Sequence, residues 1–178
     1  IVDIDKNNLR KNTAIVLQDT ILFHDTIKNN LRYSNLEATE EEIKNAATIC
    51  HCDSFISQIK GGYDSYLAEG GTNLSQGQRQ LLSIARAFIA KPKILILDEA
   101  TSSVDTRTEK NIQDAMVNLM KNKTSLIIAH RLSTILDADK IVVMDQGRIV
   151  EIGNHDALMK QKGKYYDLYM MQFAGKKL

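Results

Sequence analysis

Residues 94–100 read ILILDEA, four aliphatic residues followed directly by two acids. A short run that is apolar on both sides is typical of a central strand in a parallel sheet. In open α/β sheets, ligands bind just beyond the carboxyl ends of the strands. Asp98 and Glu99 are therefore candidates for a ligand site. The pattern by itself fits equally well an aliphatic strand that ends in two solvated acids.

The order of the predicted elements indicates the fold class. Strand segments at 13–17, 94–97 and 124–129 alternate with helical segments, and this alternation implies a parallel α/β sheet. We expect the second and third of these strands to be buried on both faces. Between Gln18 and Ser75 the pattern is helical, which predicts a small all-helical lobe inserted into the core. A hairpin through Gln146 and Gly147 and a helical tail from 154 to 173 complete the prediction.

Polar residues follow three predicted strands: Gln18, Asp98 with Glu99, and His130. These residues should meet at one edge, because the carboxyl ends of parallel strands lie together. One carboxylate there suits Mg²⁺, and a neighbouring acid can orient or deprotonate a water molecule. A lone histidine after an apolar strand is more often structural than catalytic, so His130 is a candidate only because of this edge.

A helix is predicted to begin at Ser75, since Ser75 and Gln78 have the S-x-x-Q spacing of a capping box. The first N–H groups of a helix have no internal partner and favour an anion. Gly77 would leave room for close approach of the backbone. The capping box alone supports only an ordinary capped helix.

Composition excludes several classes of protein. The formal net charge of +1 gives no basic field for nucleic acid, and the apolar runs are too short to cross a bilayer. Cys50 and Cys52 flank His51, but a metal site needs three or four convergent ligands. We interpret both cysteines as reduced thiols.

Taken together, the sequence resembles the nucleotide-binding domain of ABC transporters over essentially its whole length. Five segments match family motifs in the family's order. They are IVLQD with Gln18 (Q-loop), LSQGQ at Leu74, Ser75, Gln76, Gly77 and Gln78 (signature motif), ILILDE (Walker B), SSVD ending at Asp105 (D-loop), and IIAHR (histidine switch). The resemblance implies a P-loop NTPase-like parallel sheet core, at about 1–24 and 92–178. It also implies an inserted helical subdomain at about 25–91 that carries the signature motif.

The resemblance also implies a role for each residue, with ATP and Mg²⁺ as ligands. Asp98 and Gln18 would hold Mg²⁺, and Gln18 would also act as a catalytic residue that senses the γ-phosphate. Glu99 would be the general base, and His130 would contact the γ-phosphate and stabilise the transition state. Leu74 to Gln78 would serve the nucleotide of a second domain in a head-to-tail dimer, with Asp105 bridging the two domains. Gln76 stands where glycine is commonest in the family. The capping serine and Gly77 remain, so the phosphate contact should survive.

Finer features resemble the exporter branch of the family, including YDSYLAEGG with Glu69, a segment that contacts the membrane domain there. The sequence contains no G-x-x-x-x-G-K-[ST] motif. We therefore expect a partial domain, without the N-terminal strands and the phosphate-binding loop. By itself this chain should bind ATP weakly or not at all and be inactive as an ATPase.

The implied function is ATP hydrolysis coupled to export at the cytoplasmic face of a membrane. The implied partners are a transmembrane domain and a second nucleotide-binding domain, with no nucleic acid. Two alternatives remain open. One is a non-catalytic partner that contributes only its signature helix, and the other is a DNA-repair-type ATPase of the same superfamily.

Overall fold

The computed structural model describes residues 3–98, 104–129 and 135–174, with side chains up to residue 171. The chain divides into two compact units, Ile1–Ile128 and Ala129–Leu178. Glu99 and His130 lie outside the described residues, as do residues 101–103 of the predicted D-loop. The predicted bounds of the helical subdomain stay a prediction.

A three-stranded parallel sheet forms the centre of the first unit. Its strands are β1 (Thr13–Val16), β2 (Ile94–Asp98) and β3 (Thr124–Ile128), in the order β1-β2-β3. The register pairs Val16 with Leu97, and Asp98 with Ile128. The predicted parallel sheet with an aliphatic central strand is confirmed. All three strands therefore end at the same edge.

The helices of the first unit are α1 (Lys6–Lys11), α2 (Ile27–Arg32), α3 (Glu40–Ile49), α4 (Asp53–Ile56), α5 (Gln76–Ile89) and α6 (Thr106–Met120). Except for α4, they are preceded by residues whose side chains cap them. Thr39 caps α3 in a capping box with Glu42, and three acids occupy the first turn of that helix. Short 3₁₀ turns at Gly62–Asp64 and Glu69–Gly71 lead into α5. The predicted helical segment between Gln18 and Ser75 is confirmed.

The core of the first unit lies on one face of the sheet. Leu95 and Leu97 are fully buried there, in one cluster with apolar side chains of α5 and α6. On the opposite face, Ile15, Leu126 and Ile128 are each more than half exposed. The prediction that β2 and β3 are buried on both faces is therefore wrong for the described residues. The reason is that, among the described residues, only the face that carries Leu95 and Leu97 is covered by other elements.

From residue 141 to residue 174, the second unit is a β-hairpin followed by two helices. β4 (Ile141–Asp145) and β5 (Arg148–Gly153) pair antiparallel, and α7 (His155–Gln161) and α8 (Lys164–Ala174) follow. Gln146 and Gly147 both have positive φ, as a tight two-residue hairpin turn requires. The predicted hairpin and helical tail are confirmed, except that the tail is broken at Lys162. In the described part of the chain, no helix has both the length and the hydropathy needed to cross a membrane.

Candidate functional site

The carboxyl edge of the sheet carries two described candidates. Asp98 is the last residue of β2, and Gln18 lies two residues beyond the end of β1. The two strands are hydrogen-bonded neighbours, so both residues leave the sheet on the same side. Asp98 is half-buried and Gln18 is exposed. The edge therefore offers a carboxylate and an amide oxygen to a ligand, with Glu99 next along the chain.

Helix α5 begins as the sequence predicts. The backbone N–H of Gln78 donates to Ser75 Oγ at 3.2 Å, and the N–H of Ser75 donates to Gln78 Oε1 at 2.9 Å. Ser75 is exposed at this helix start, while Leu74 is buried and anchors the preceding turn. The cap satisfies the Gln78 N–H, and the earlier N–H groups of the helix have no intrahelical partner. This end of α5 therefore retains donors for an anion.

Gln18 and Gln76 line the same cavity, which has a volume of about 230 Å³. Arg79 also lines it, and its Nη1 donates to the carbonyl oxygen of Leu74 at 2.6 Å. The residues that line it are polar or glycine, and the cavity lies between the segment after β1 and the start of α5. The sequence analysis assigns Gln18 and the signature segment to separate sites. Their proximity is seen only in the structure.

Gly77 has a packing role that the sequence does not reveal. The glycine is buried, and a Cβ added to it would lie 2.3 Å from Thr108 Cγ2 and 3.0 Å from Val104 Cγ1. The space that the missing side chain leaves is thus occupied by α6 and the residue before its cap. The predicted contact between Gly77 and phosphate stays a prediction, whereas close packing of α5 on α6 already requires glycine here.

Asp105 lies at the N-terminus of α6 and caps it. The backbone N–H of Thr108 donates to Asp105 Oδ1 at 3.0 Å. This backbone hydrogen bond, together with one from the Thr108 side chain, lowers the pKa of Asp105 below its ordinary value. The carboxylate is therefore ionised at neutral pH and already has a structural partner in this chain.

A groove of about 780 Å³ lies between the segment after β1 and the turn before α5. Residues 21–24 form one wall, and Ala68, Glu69 and Gly70 form the other. Leu22 is buried where the two walls meet, and a Cβ on Gly71 would lie only 2.7 Å from Leu22 Cδ1. Ile21 on the rim is 66% exposed. The groove thus presents an apolar rim on one side and a carboxylate on the other.

Sequence reasoning missed Arg86 and Asn30. Asn30 is only 2% exposed, and Arg86 donates to its backbone oxygen and side-chain oxygen at 2.9 and 3.1 Å. Burial lowers the pKa of the Arg86 guanidinium from its ordinary value. The signal in the sequence was an arginine between Ala85 and Ala87, inside the apolar part of a helix.

The cysteines lie in a helix junction. Cys50 follows α3 and Cys52 precedes α4, and both are fully buried. His51, between them, has a positive φ of 56°. Burial raises the pKa of the Cys50 thiol to about 12 and that of Cys52 well above its ordinary value. Neither thiol is placed to act as a nucleophile.

We expect both thiols to be inert in the folded protein. A thiol of such high pKa has almost no thiolate at pH 8, so alkylation by iodoacetamide should be about a thousandfold slower than for free cysteine. Mass spectrometry of the peptides that contain Cys50 and Cys52 measures this rate. Unfolding in guanidinium should restore it, whereas rapid labelling under native conditions would contradict the burial.

The described residues fit a magnesium site completed by a ligand. Among them, no group of three or more His, Cys, Asp or Glu side chains could hold a metal ion by itself. Mg²⁺ in nucleotide sites usually has one or two protein oxygens and takes the remainder from phosphate and water. Asp98 and Gln18 lie at one sheet edge and provide this number of protein oxygens.

Comparison with known proteins finds ABC transporter proteins. A family model described as ABC transporter matches residues 1–102. An ATP-dependent lipid A-core flippase of Desulfotalea psychrophila is 53% identical over 97% of this chain. A fatty acid ABC transporter ATP-binding/permease protein of Mycobacterium bovis is 50% identical over 94% of it. A solved structure of a bacterial Atm1-family ABC exporter with ATP bound is 41% identical over 97% of the chain, with a TM-score of 0.87.

The chain corresponds to only part of each of these proteins. It spans 30% of the flippase, 27% of the fatty acid transporter and 30% of the exporter chain of known structure. The likeness therefore concerns one portion of a larger transporter.

Proposed function

Since this chain belongs to the ABC transporter family, we propose that it forms part of the ATP-binding and ATP-hydrolysing domain of a membrane exporter. The observation that carries the proposal is the juxtaposition of two features in one unit. Asp98 and Gln18 lie at the carboxyl edge of a parallel sheet, and a capped helix that begins at Ser75 faces a cavity lined by Gln18. The first feature suits Mg²⁺ and the second suits a phosphate.

At the sheet edge, each residue has a distinct task. Asp98 and Gln18 provide oxygens for Mg²⁺, which when bound neutralises charge on the phosphates. Glu99 follows Asp98 directly in the sequence. As a second acid it would accept a proton from the attacking water, while Asp98 would hold the metal. His130, which follows the β3 segment in the sequence, would contact the γ-phosphate.

The start of α5 serves a second copy of the domain. Ser75 is exposed, and the helix N-terminus favours an anion, so the signature segment binds the γ-phosphate of a nucleotide held by the opposite domain in a head-to-tail dimer. Gln76 stands at the first position of the helix, half-buried against the cavity that Gln18 lines. Asp105 bridges the two domains close to this helix start.

The groove between residues 21–24 and Ala68–Gly70 receives a segment of the membrane domain. Its exposed Ile21 offers an apolar contact, and Glu69 offers a carboxylate to a basic group or to an N–H donor. Docking there places the domain at the cytoplasmic face of the membrane.

The structure favours the exporter reading over the DNA-repair alternative. Between Gln18 and Ser75 the chain forms short helices and 3₁₀ turns, whereas that alternative calls for a long coiled-coil or zinc-bearing insertion. The formal charge is also close to neutral. DNA binding that weakens steeply with salt would reverse this preference.

The test is hydrolysis of ATP by the protein expressed from its complete coding sequence and purified in lipid nanodiscs. We expect phosphate release that requires Mg²⁺ and stops when the ion is chelated. Purified protein with no more hydrolysis than empty nanodiscs would contradict the proposal.

A further inference from the structure

Arg86 attaches one wall of the groove, residues 21–24, to helix α5. Its Nη1 donates to the carbonyl oxygen of Ile21 at 2.9 Å, in addition to its two bonds to Asn30. The guanidinium lies over the rings of Phe23 and Tyr33, at 5.6 and 5.7 Å from the ring centroids. Within the described residues it forms no salt bridge with a carboxylate. Oxygens and ring faces from the segment after β1 and from α2 stabilise this cation instead.

Asn30 completes the attachment. Its Oδ1 accepts from the backbone N–H of Phe23 at 2.9 Å, and its Nδ2 donates to the carbonyl oxygens of Phe23 and Thr26 at 3.0 and 3.1 Å. The side chain is almost completely buried, so each of these bonds would be costly to break. The groove wall is therefore fixed to α2 by Asn30, and both are fixed to α5 by Arg86.

We propose that Arg86 is a positioning residue that makes the docking groove and the start of α5 move as one body. This inference rests on the proposed function, because it assigns the groove to the membrane domain and Ser75 to the nucleotide. Arg86 lies in α5 and Ser75 is the N-cap of the same helix, so the two are about 16 Å apart along the helix axis. A displacement of the groove wall is then transmitted along α5 to the phosphate-binding end, and nucleotide binding is transmitted back to the groove.

Lysine cannot replace arginine in this role. Three different guanidinium nitrogens donate to three different oxygens on two segments, and the plane of the group lies over two rings. A lysine keeps the charge but is a point donor without a plane. Arg86→Lys therefore removes the attachment while leaving the apolar packing of α5 largely unchanged.

The experiment is hydrogen–deuterium exchange of the complete protein in nanodiscs, with and without ATP. In the wild-type protein, ATP should slow exchange both at the start of α5 and in the segment 21–25. In Arg86→Lys we expect exchange in 21–25 to become about tenfold faster and insensitive to ATP, while the start of α5 still responds. The kcat for ATP should fall about 2- to 30-fold with KM unchanged. Arg10→Lys, an exposed arginine on α1, is the matched control.

The outcomes distinguish a failure of the proposed function from a failure of the positioning role of Arg86. If ATP does not alter exchange at the start of α5 even in the wild-type protein, the proposed function fails. If ATP slows exchange in 21–25 of Arg86→Lys as it does in the wild type, the positioning role is wrong. A raised KM would also overturn it, because Arg86 would then belong to the nucleotide site. Phe23→Leu removes one ring and keeps every hydrogen bond of Arg86, so it should partially weaken the effect of ATP on exchange in 21–25. This variant tests the positioning role of Arg86 if Arg86→Lys does not fold.

Discussion

Replacement of Glu99 by glutamine is expected to lower the kcat for ATP hydrolysis about 10²- to 10⁴-fold, the usual contribution of a general base. Glutamine has nearly the same size and can still accept a hydrogen bond from water, but it cannot take the proton. Asp98 remains at the end of β2 to hold the metal, so KM for ATP should change little. Steady-state phosphate release by the complete protein in nanodiscs measures both constants.

The same variant distinguishes a catalytic domain from a non-catalytic partner domain. If this chain contributed only its signature helix to a partner's nucleotide, Glu99→Gln would leave kcat unchanged, and that result would contradict catalysis here. Glu41→Gln is the matched control, because Glu41 is an exposed acid in the first turn of α3. A comparable loss of activity in this control would show that the assay reports stability rather than chemistry.

Local chemistry explains what could be predicted from the sequence. A capping box requires only two residues three positions apart, so Ser75 with Gln78 located the start of α5. The aliphatic run before Asp98 likewise predicted a central strand, because few other elements are apolar on both sides over four residues. Since parallel strands share one carboxyl edge, the positions of Gln18 and Asp98 followed.

Features that depend on side chains distant in sequence could not be predicted. Arg86 reads as a charge within an apolar helix, and only the fold brings Ile21 and Asn30 to its guanidinium. Burial of a strand face depends equally on what covers it, and an aliphatic pattern does not say which face of β3 stays open. Gly77 suggested a position kept open for a ligand, whereas a side chain added there would first meet Thr108.

Gly77→Ala is expected to destabilise the protein, although alanine is the better helix former. In an open helix this change stabilises by about 1 kcal/mol. Here the new methyl group would lie 2.3 Å from Thr108 Cγ2, and overpacking of a buried contact costs about 1–3 kcal/mol. Either α5 moves away from α6 or Thr108 leaves its rotamer. We expect a net loss of up to about 2 kcal/mol, measured as a fall in the apparent melting temperature of the complete protein.

A second substitution tests whether this contact is the cause. Thr108→Ser removes Cγ2 but keeps the hydroxyl and the backbone N–H that bond Asp105, so the cap of α6 should survive. The double variant Gly77→Ala/Thr108→Ser should recover most of the lost stability, giving a coupling energy of about 1–2 kcal/mol between the two positions. If the effects simply add, the clash is not the reason for glycine. If stability recovers but ATP hydrolysis does not, Gly77 is needed at the phosphate as well as at α6.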